Sequence, residues 1–434
     1  MGFNPSFDFQ DLPALRKPFT PALGLLIASF KSPYYEGSGG LFFRLSGNKD
    51  DKRVGLLTCA HVSHPRPLFE NQAYTRKKES QPREDVLLGG EAFNKAVRAI
   101  TEFIGNQVDS ISSWESTLSK IPVPVENEAP RITQKRDELV GLISAAKKKI
   151  EAAKELHSDV TKNLTLAETR VFGFMLHCAK VEVNADDHFM NDWSLIQVDD
   201  DKVDWAESKG NRLFVGGNKT AADWKKYMFP QANYRHGFHA PEDMLLPVKD
   251  YVPEAELRSP QNLDIHNVKT LLAVKNGRTT GTTFGRVNGL ESVTRKYTEY
   301  DVNEKALEFI VCGHDTVTGD NANFSDDGDS GSFVVGRDGR LIGQLTGGAG
   351  PTDKADRSYM TPFWALKRAM DKEFPGCHPI PADAYPSPSM PSLGQLLNSS
   401  LKEALRCARK GRSLLGGCDL SVVSVLLEQP VTNE

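Results

Sequence analysis

The segment Gly328-Asp329-Ser330-Gly331-Ser332 sets one hydroxyl between two glycines. Glycine permits tight turns and close backbone approach, so this segment suits a turn that presents Ser330 to a substrate carbonyl. The backbone N–H groups of Gly328 and Ser330 would then face the oxyanion formed by the attack. The same composition also marks ordinary turns, so the companions of Ser330 decide its meaning. A serine hydroxyl is a weak nucleophile without a base to take its proton and a third group to orient that base. Among ten histidines, His61 stands out because it ends the apolar run Val54-Gly-Leu-Leu-Thr-Cys-Ala-His61. Among the aspartates, Asp192 opens the apolar run Trp193-Ser-Leu-Ile-Gln-Val198, whereas Asp186, Asp187, Asp199, Asp200 and Asp201 have polar surroundings and read as solvated loop charges. The pairs His61/His64 and His236/His239 share an HxxH spacing, but neither lies on a convincing helix or has the accompanying glutamate, so no metal site is expected.

Chain order adds specificity. The order here is His61, Asp192, Ser330, which differs from the Asp-His-Ser and Ser-Asp-His orders of other convergent triads. Thr58-Cys59-Ala60-His61 is similar to the Thr-Ala-Ala-His segment, and Asp192-Trp-Ser-Leu-Ile196 to the Asp-x-Ala-Leu-Ile segment, of trypsin-like proteases. On these motifs the chain resembles the trypsin/chymotrypsin superfamily. With the hairpin-like Phe333–Leu345, the segment Tyr359–Phe363 and the Gly-Thr-rich Val274–Val287, it resembles more narrowly the fungal intracellular trypsin-like peptidases. The resemblance implies a mainly β fold of two six-stranded antiparallel barrels. It implies a serine endopeptidase that acts on polypeptides through a His61–Asp192–Ser330 triad and an acyl-enzyme, with an oxyanion hole at Gly328 and Ser330 and no metal or organic cofactor. It also places the floor of the specificity pocket near Phe324 and Ser325, and the substrate-binding strand at Thr346, Gly347 and Gly348. Phe324 stands where trypsin has an acidic residue, so a preference for Arg or Lys is not implied. In secreted zymogens the Asp before the serine pairs with a newly cleaved N-terminus. No Arg-Ile-Val-Gly-Gly sequence precedes the first strand here, so Asp329 needs another partner or a switch. The alternative reading is a non-catalytic, protease-like module used for binding or signalling.

Composition bounds the remaining choices. The chain has 434 residues, 39% hydrophobic and 25% charged, with a formal net charge of −4. This is ordinary globular composition, and it favours neither a nucleic-acid surface nor an anionic membrane. No apolar run approaches the roughly 18–20 residues needed to span a bilayer. The run Ala22–Phe30 is apolar but short, and it suits a first barrel strand better than a secretory signal. Cys59, Cys178, Cys312, Cys377, Cys407 and Cys418 are sparse for the length; none directly follows His61 and none closely brackets Ser330. A reducing cytosolic or nuclear compartment is therefore expected, and secretion is not.

The elements that must position these residues follow from periodicity. Short runs bounded by Gly and Pro predict strands at Leu23–Phe30, Gly40–Leu45 and Val54–Thr58, with Glu36-Gly-Ser-Gly-Gly40 as a flexible connection. Helical spacing takes over at residues 92–121 and again at 133–170, separated by Pro122, Pro124 and Pro130. In the second stretch Leu139, Ala146, Ala153, Val160 and Ala167 recur every seven residues. These segments predict an inserted helical hairpin, either self-packed or a coiled-coil arm for a protein partner or self-association through residues 91–170. The expected organisation is residues 20–90, first barrel with His61; 91–170, insertion; 171–262, rest of the first barrel with Asp192 and the inter-barrel linker; 263–376, second barrel with Ser330; 377–434, Pro-rich linker and helical tail.

Overall fold

The apolar run before residue 30 becomes strand β1 (Leu25–Ser29), followed by β2 (Glu36–Gly39), β3 (Phe42–Arg44) and β4 (Val54–Thr58). In this computed structural model residues 11–66, 68–125, 128–203, 210–217, 219–231, 243–264, 266–294, 302–314, 323–349 and 357–382 are described. The expected C-terminal tail beyond residue 382, and His236 and His239, lie outside them.

The segment expected as a flexible connection is instead β2. It pairs antiparallel with β1, Ser38 opposite Leu26, and is buried from Gly37 onward. Its composition follows from close packing. A Cβ on Gly37 would lie 2.5 Å from Val62 Cγ1, and one on Gly39 2.8 Å from Leu56 Cδ2, so only bare backbone fits.

After the short helices α1 (Asp11–Arg16) and α2 (Ala60–Ser63) come β5 (Tyr74–Thr75), β6 (Glu84–Leu87), β7 (Val171–Cys178), β8 (Glu182–Val183), β9 (Met190–Asn191) and β10 (Ser194–Val198). The first sheet runs β2-β1-β6-β7-β10-β4-β3 and is extended by β20 (His378–Pro379) near the end of the described chain. It curves without a closing ladder among the described residues, which makes a half-barrel. Between the sheets lie β11 (Arg212–Phe214), paired with β12 (Leu245–Pro247), and two helices, α5 (Ala221–Met228) and α6 (Glu254–Arg258).

The second sheet contains β13 (Asn262–Leu263), β14 (Lys269–Gly277), β15 (Gly281–Thr294), β16 (Ala306–Gly313), β17 (Phe333–Gly336), β18 (Leu341–Ala349) and β19 (Arg357–Pro362). Its order is β13-β14-β15-β16-β19-β18-β17, and pairing of Ala273 with Gly336 and Val274 with Val335 closes β14–β19 into a six-stranded barrel. Helix α7 (Phe363–Glu373) follows it. A closed antiparallel barrel beside a half-barrel is the chymotrypsin-like architecture expected, with the first sheet left open. One apolar core spans both, joining Leu56, Trp193 and Leu195 to Val274, Phe333 and Val335.

The insertion forms helices α3 (Gly90–Leu118) and α4 (Pro130–Leu164). Leu139, Ala146, Ala153 and Val160 are buried as a stripe, interleaved with Ile143, Ile150 and Leu156. The stripe ends before Ala167, which falls in a 3-10 turn at Ala167–Arg170. Near the base, α4 packs on Phe93 and Ile100 of α3, and Leu12 of α1 joins the same cluster. Among the described residues, no helix is long and apolar enough to cross a membrane, and Cys59, Cys178, Cys312 and Cys377 are free thiols.

Candidate active site

Strand β4 ends at Thr58, and extended Cys59 leads into α2, whose second residue is His61. Strand β10 runs antiparallel to β4 with Ser194 opposite Thr58. Asp192, two residues before Ser194, therefore lies beside the corner that carries His61. His61 Nδ1 and Asp192 Oδ2 are 2.6 Å apart, and the His61 backbone N–H donates to Asp192 Oδ1 at 3.2 Å. The Asp192 side chain is fully buried and that of His61 is 25% exposed. Ser194 shares a hydrogen bond of 2.5 Å with Ser63 Oγ and so braces α2 on β10.

Ser330 lies in a turn whose Gly328 and Gly331 have φ of +92° and +90°, a region that favours glycine. A Cβ on Gly331 would lie 2.2 Å from Ser38 O and 2.4 Å from Thr58 Oγ1. The turn is thus packed on the end of β4, next to the residues leading to His61. Ser330 Oγ donates to Thr346 O over a long 3.4 Å. Among the described residues, the N–H groups of Gly328 and Ser330 have no hydrogen-bond acceptor in the protein, unlike the Asp329, Gly331 and Ser332 N–H groups around them.

The two sheets are bonded to each other at this point. Gln344 Nε2 donates to Cys59 Sγ at 3.0 Å and to Asp192 O at 3.2 Å, and Cys59 Sγ donates to Leu345 O at 3.2 Å. Burial first, then the Asp192 charge, push the Cys59 thiol up. Donor atoms of Cys59, His61 and Asp192 lie within 4.8 Å of one another. Metal ligation would require the thiolate, so this set fits a proton network better than an ion site. His64, the other member of the HxxH pair, receives a hydrogen bond from Arg83 at its Nδ1, and burial followed by the Arg83 charge lowers it to about 4.

The remaining expected residues separate into two groups. Thr346, Gly347 and Gly348 lie on β18, and a Cβ on Gly347 would meet nothing within 4 Å among the described residues. Ser325 sits beside them, 4.0 Å from a Cβ on Gly348, and shares a 2.6 Å hydrogen bond with Ser358 Oγ. Phe324 is fully buried in the second-barrel core, where its Cδ2 would lie 2.7 Å from a Cβ on Gly285.

Asp329 finds its partner inside the chain. Its Oδ2 accepts from Lys275 Nζ at 2.9 Å, Thr280 Oγ1 at 2.6 Å and Asp326 N at 3.1 Å, while Oδ1 accepts from Thr279 N at 2.7 Å. Burial opposes its charge, but Lys275 and these donors outweigh burial and hold the carboxyl below its usual range. A second buried cation, Lys17, donates to Gly24 O at 2.5 Å and is lowered to about 7, first by burial and then by Lys275. Sequence reasoning missed Lys275. Its signal was a lysine directly after the apolar run Leu271-Leu-Ala-Val274 of a buried strand.

Neither a family profile nor any curated protein matches the chain. Among solved structures it is similar to a glutamic acid-specific serine protease, at 10% identity and a TM-score of 0.33, covering 80% of this chain and 96% of that one. It is similar to Thermobifida fusca protease A at 9% identity and 0.34, covering 83% and 98%. A Nocardiopsis protease gives 9% and 0.33, covering 83% and 98%.

Proposed function

We infer that the protein is a serine endopeptidase acting through His61, Asp192 and Ser330. The observation that carries this reading is the buried Asp192 carboxylate, held by both the ring and the backbone N–H of His61 at the corner on which the Ser330 turn packs. With Nδ1 committed to Asp192, Nε2 is the nitrogen that takes the Ser330 proton as Oγ attacks a peptide carbonyl. The oxyanion is received by the Gly328 and Ser330 N–H groups, and His61 returns its proton to the leaving amine. Water, deprotonated by His61, then hydrolyses the acyl-enzyme to the acid and free Ser330. Ser330 Oγ must first exchange its long bond to Thr346 O for one to His61, a tightening that substrate binding commonly brings.

A fluorophosphonate probe tests the reading. Wild-type protein is expected to be labelled at Ser330, with loss of labelling in Ser330→Ala and a fall of about 10²-fold or more in His61→Ala. A folded wild type that neither takes the label nor cleaves a proteome-derived peptide library overturns it. The non-catalytic reading, for which the Ser330–Thr346 contact is the supporting observation, would then stand.

A further inference from the structure

The turn that carries Ser330 is bracketed from the first sheet by one residue. Ser38, fully buried on β2, donates its backbone N–H to Ser330 O and its hydroxyl to Gly328 O, both at 3.0 Å. Gly328 O is a carbonyl and can only accept, and Ser38 Oγ in turn accepts the backbone N–H of Arg278 at 3.0 Å. The two N–H groups assigned to the oxyanion thus belong to residues whose carbonyls Ser38 holds. Arg278, in the turn between β14 and β15, closes the clamp from outside: a Cβ on Gly328 would lie 2.8 Å from its Cδ. Its guanidinium is held in turn by Glu36, two residues before Ser38 on β2, with Nε to Oε2 at 2.7 Å.

Glu36 also reaches the insertion. Its carboxylate is 1% exposed, and Oε1 accepts the Ala92 backbone N–H at 2.9 Å. It therefore caps the first turn of α3 from another strand, where the N-cap position itself is Gly89 and has no side chain to do so. Glu91, in the same turn, accepts from Arg278 at 2.9 Å. One continuous set of polar contacts joins the base of the helical insertion to the turn around Ser330.

Resting on the endopeptidase reading above, we propose that Ser38 and Arg278 are positioning residues for the oxyanion turn, and that Glu36 couples this clamp to the insertion. Ser38 acts through Gly328 and Ser330. Arg278 acts through its packing on Gly328 and its grip on Glu36. Displacement of the α3 base transmits to the two oxyanion N–H groups without any contact with substrate.

The test uses the full chain and a fluorophosphonate probe at fixed concentration, far below the thermal midpoint of each variant. Ser38→Ala is expected to slow labelling of Ser330 by at least about tenfold, less than the roughly 10²-fold or more that outright loss of an oxyanion donor costs, because the donors are displaced and not removed. Arg278→Met and Glu36→Gln are expected to slow it in the same direction. The double variant Ser38→Ala/Arg278→Met should lose less than the product of the single losses, because both act on one turn. Amide hydrogen exchange should rise at residues 326–331 in each variant while β14 stays protected. Burial of Ser38 without a positioning role would change the thermal midpoint and leave both the labelling rate and this local exchange unchanged, which overturns the proposal. If the wild type itself takes no label, the endopeptidase reading fails separately. The clamp is then decided by exchange alone, and wild-type protection of residues 326–331 in Ser38→Ala overturns it.

Discussion

Asp329 accepts hydrogen bonds from Lys275, Thr279, Thr280 and Asp326, and its ion pair with Lys275 has both side chains fully buried. Removing one partner of such a pair leaves an uncompensated charge, at a cost of about 3–5 kcal/mol. Lys275→Met should lose stability on this scale in urea unfolding at neutral pH. Because the folded carboxyl is depressed below its ordinary 3.8, its contribution is complete above that value and is lost as pH falls through the lower folded value. The deficit of Lys275→Met should therefore shrink in acid, as the unpaired Asp329 takes up a proton.

Asp85 is the opposite case. It is 2% exposed, its Oδ2 lacks a hydrogen-bond partner among the described residues, and burial holds the carboxyl well above 3.8. The unfolded chain ionises it near 3.8 while the folded chain resists, so it opposes folding increasingly as pH rises from there towards the folded value. Asp85→Asn should raise the unfolding midpoint at pH 7, with the gain disappearing near pH 3. These residues also mark how far sequence reaches. His61, Asp192 and Ser330 stand out in the sequence as candidates because each has a chemically telling flank. Ser38, Lys275 and Arg278 were not, because their roles depend on partners such as Gly328, Asp329 and Glu36, which lie 290, 54 and 242 residues away along the chain.

At the scale of elements, periodicity located the long helices and the apolar strands, and it failed at β2. A strand of Glu-Gly-Ser-Gly carries no alternating side chains to detect. Its burial comes from backbone pressed against Val62 and Leu56. In the insertion, the heptad pattern was readable but its partner was not. The stripe is occupied within the hairpin, while Val108, Val140 and Leu142 remain 40–50% exposed on its surface. The hairpin's base is a core in its own right, with Ile100 and Ala153 both at 0% exposure. Ile100→Ala should therefore cost about 2–5 kcal/mol, seen as a lower urea midpoint and faster amide exchange across residues 90–118 and 130–164.

At the scale of the whole molecule, the two-sheet architecture was legible from motif order. The open first sheet was not, since closure depends on long-range ladders such as Ala273 with Gly336. The insertion has a topological consequence. Strands β6 and β7, from which it departs and to which it returns, are hydrogen-bonded neighbours, with Val86 opposite Val171. The long helical arm is in effect the enlarged turn of a β-hairpin, and its outer end lies between Leu118 and Pro130. Cutting the chain there divides the proposed triad unequally: one fragment carries His61, the other Asp192 and Ser330. Neither fragment should take a fluorophosphonate alone. Mixed, they have the α3–α4 interface and the β6–β7 ladder with which to reassemble. The same fold would then operate as a split enzyme, whose activity reports the meeting of two polypeptides.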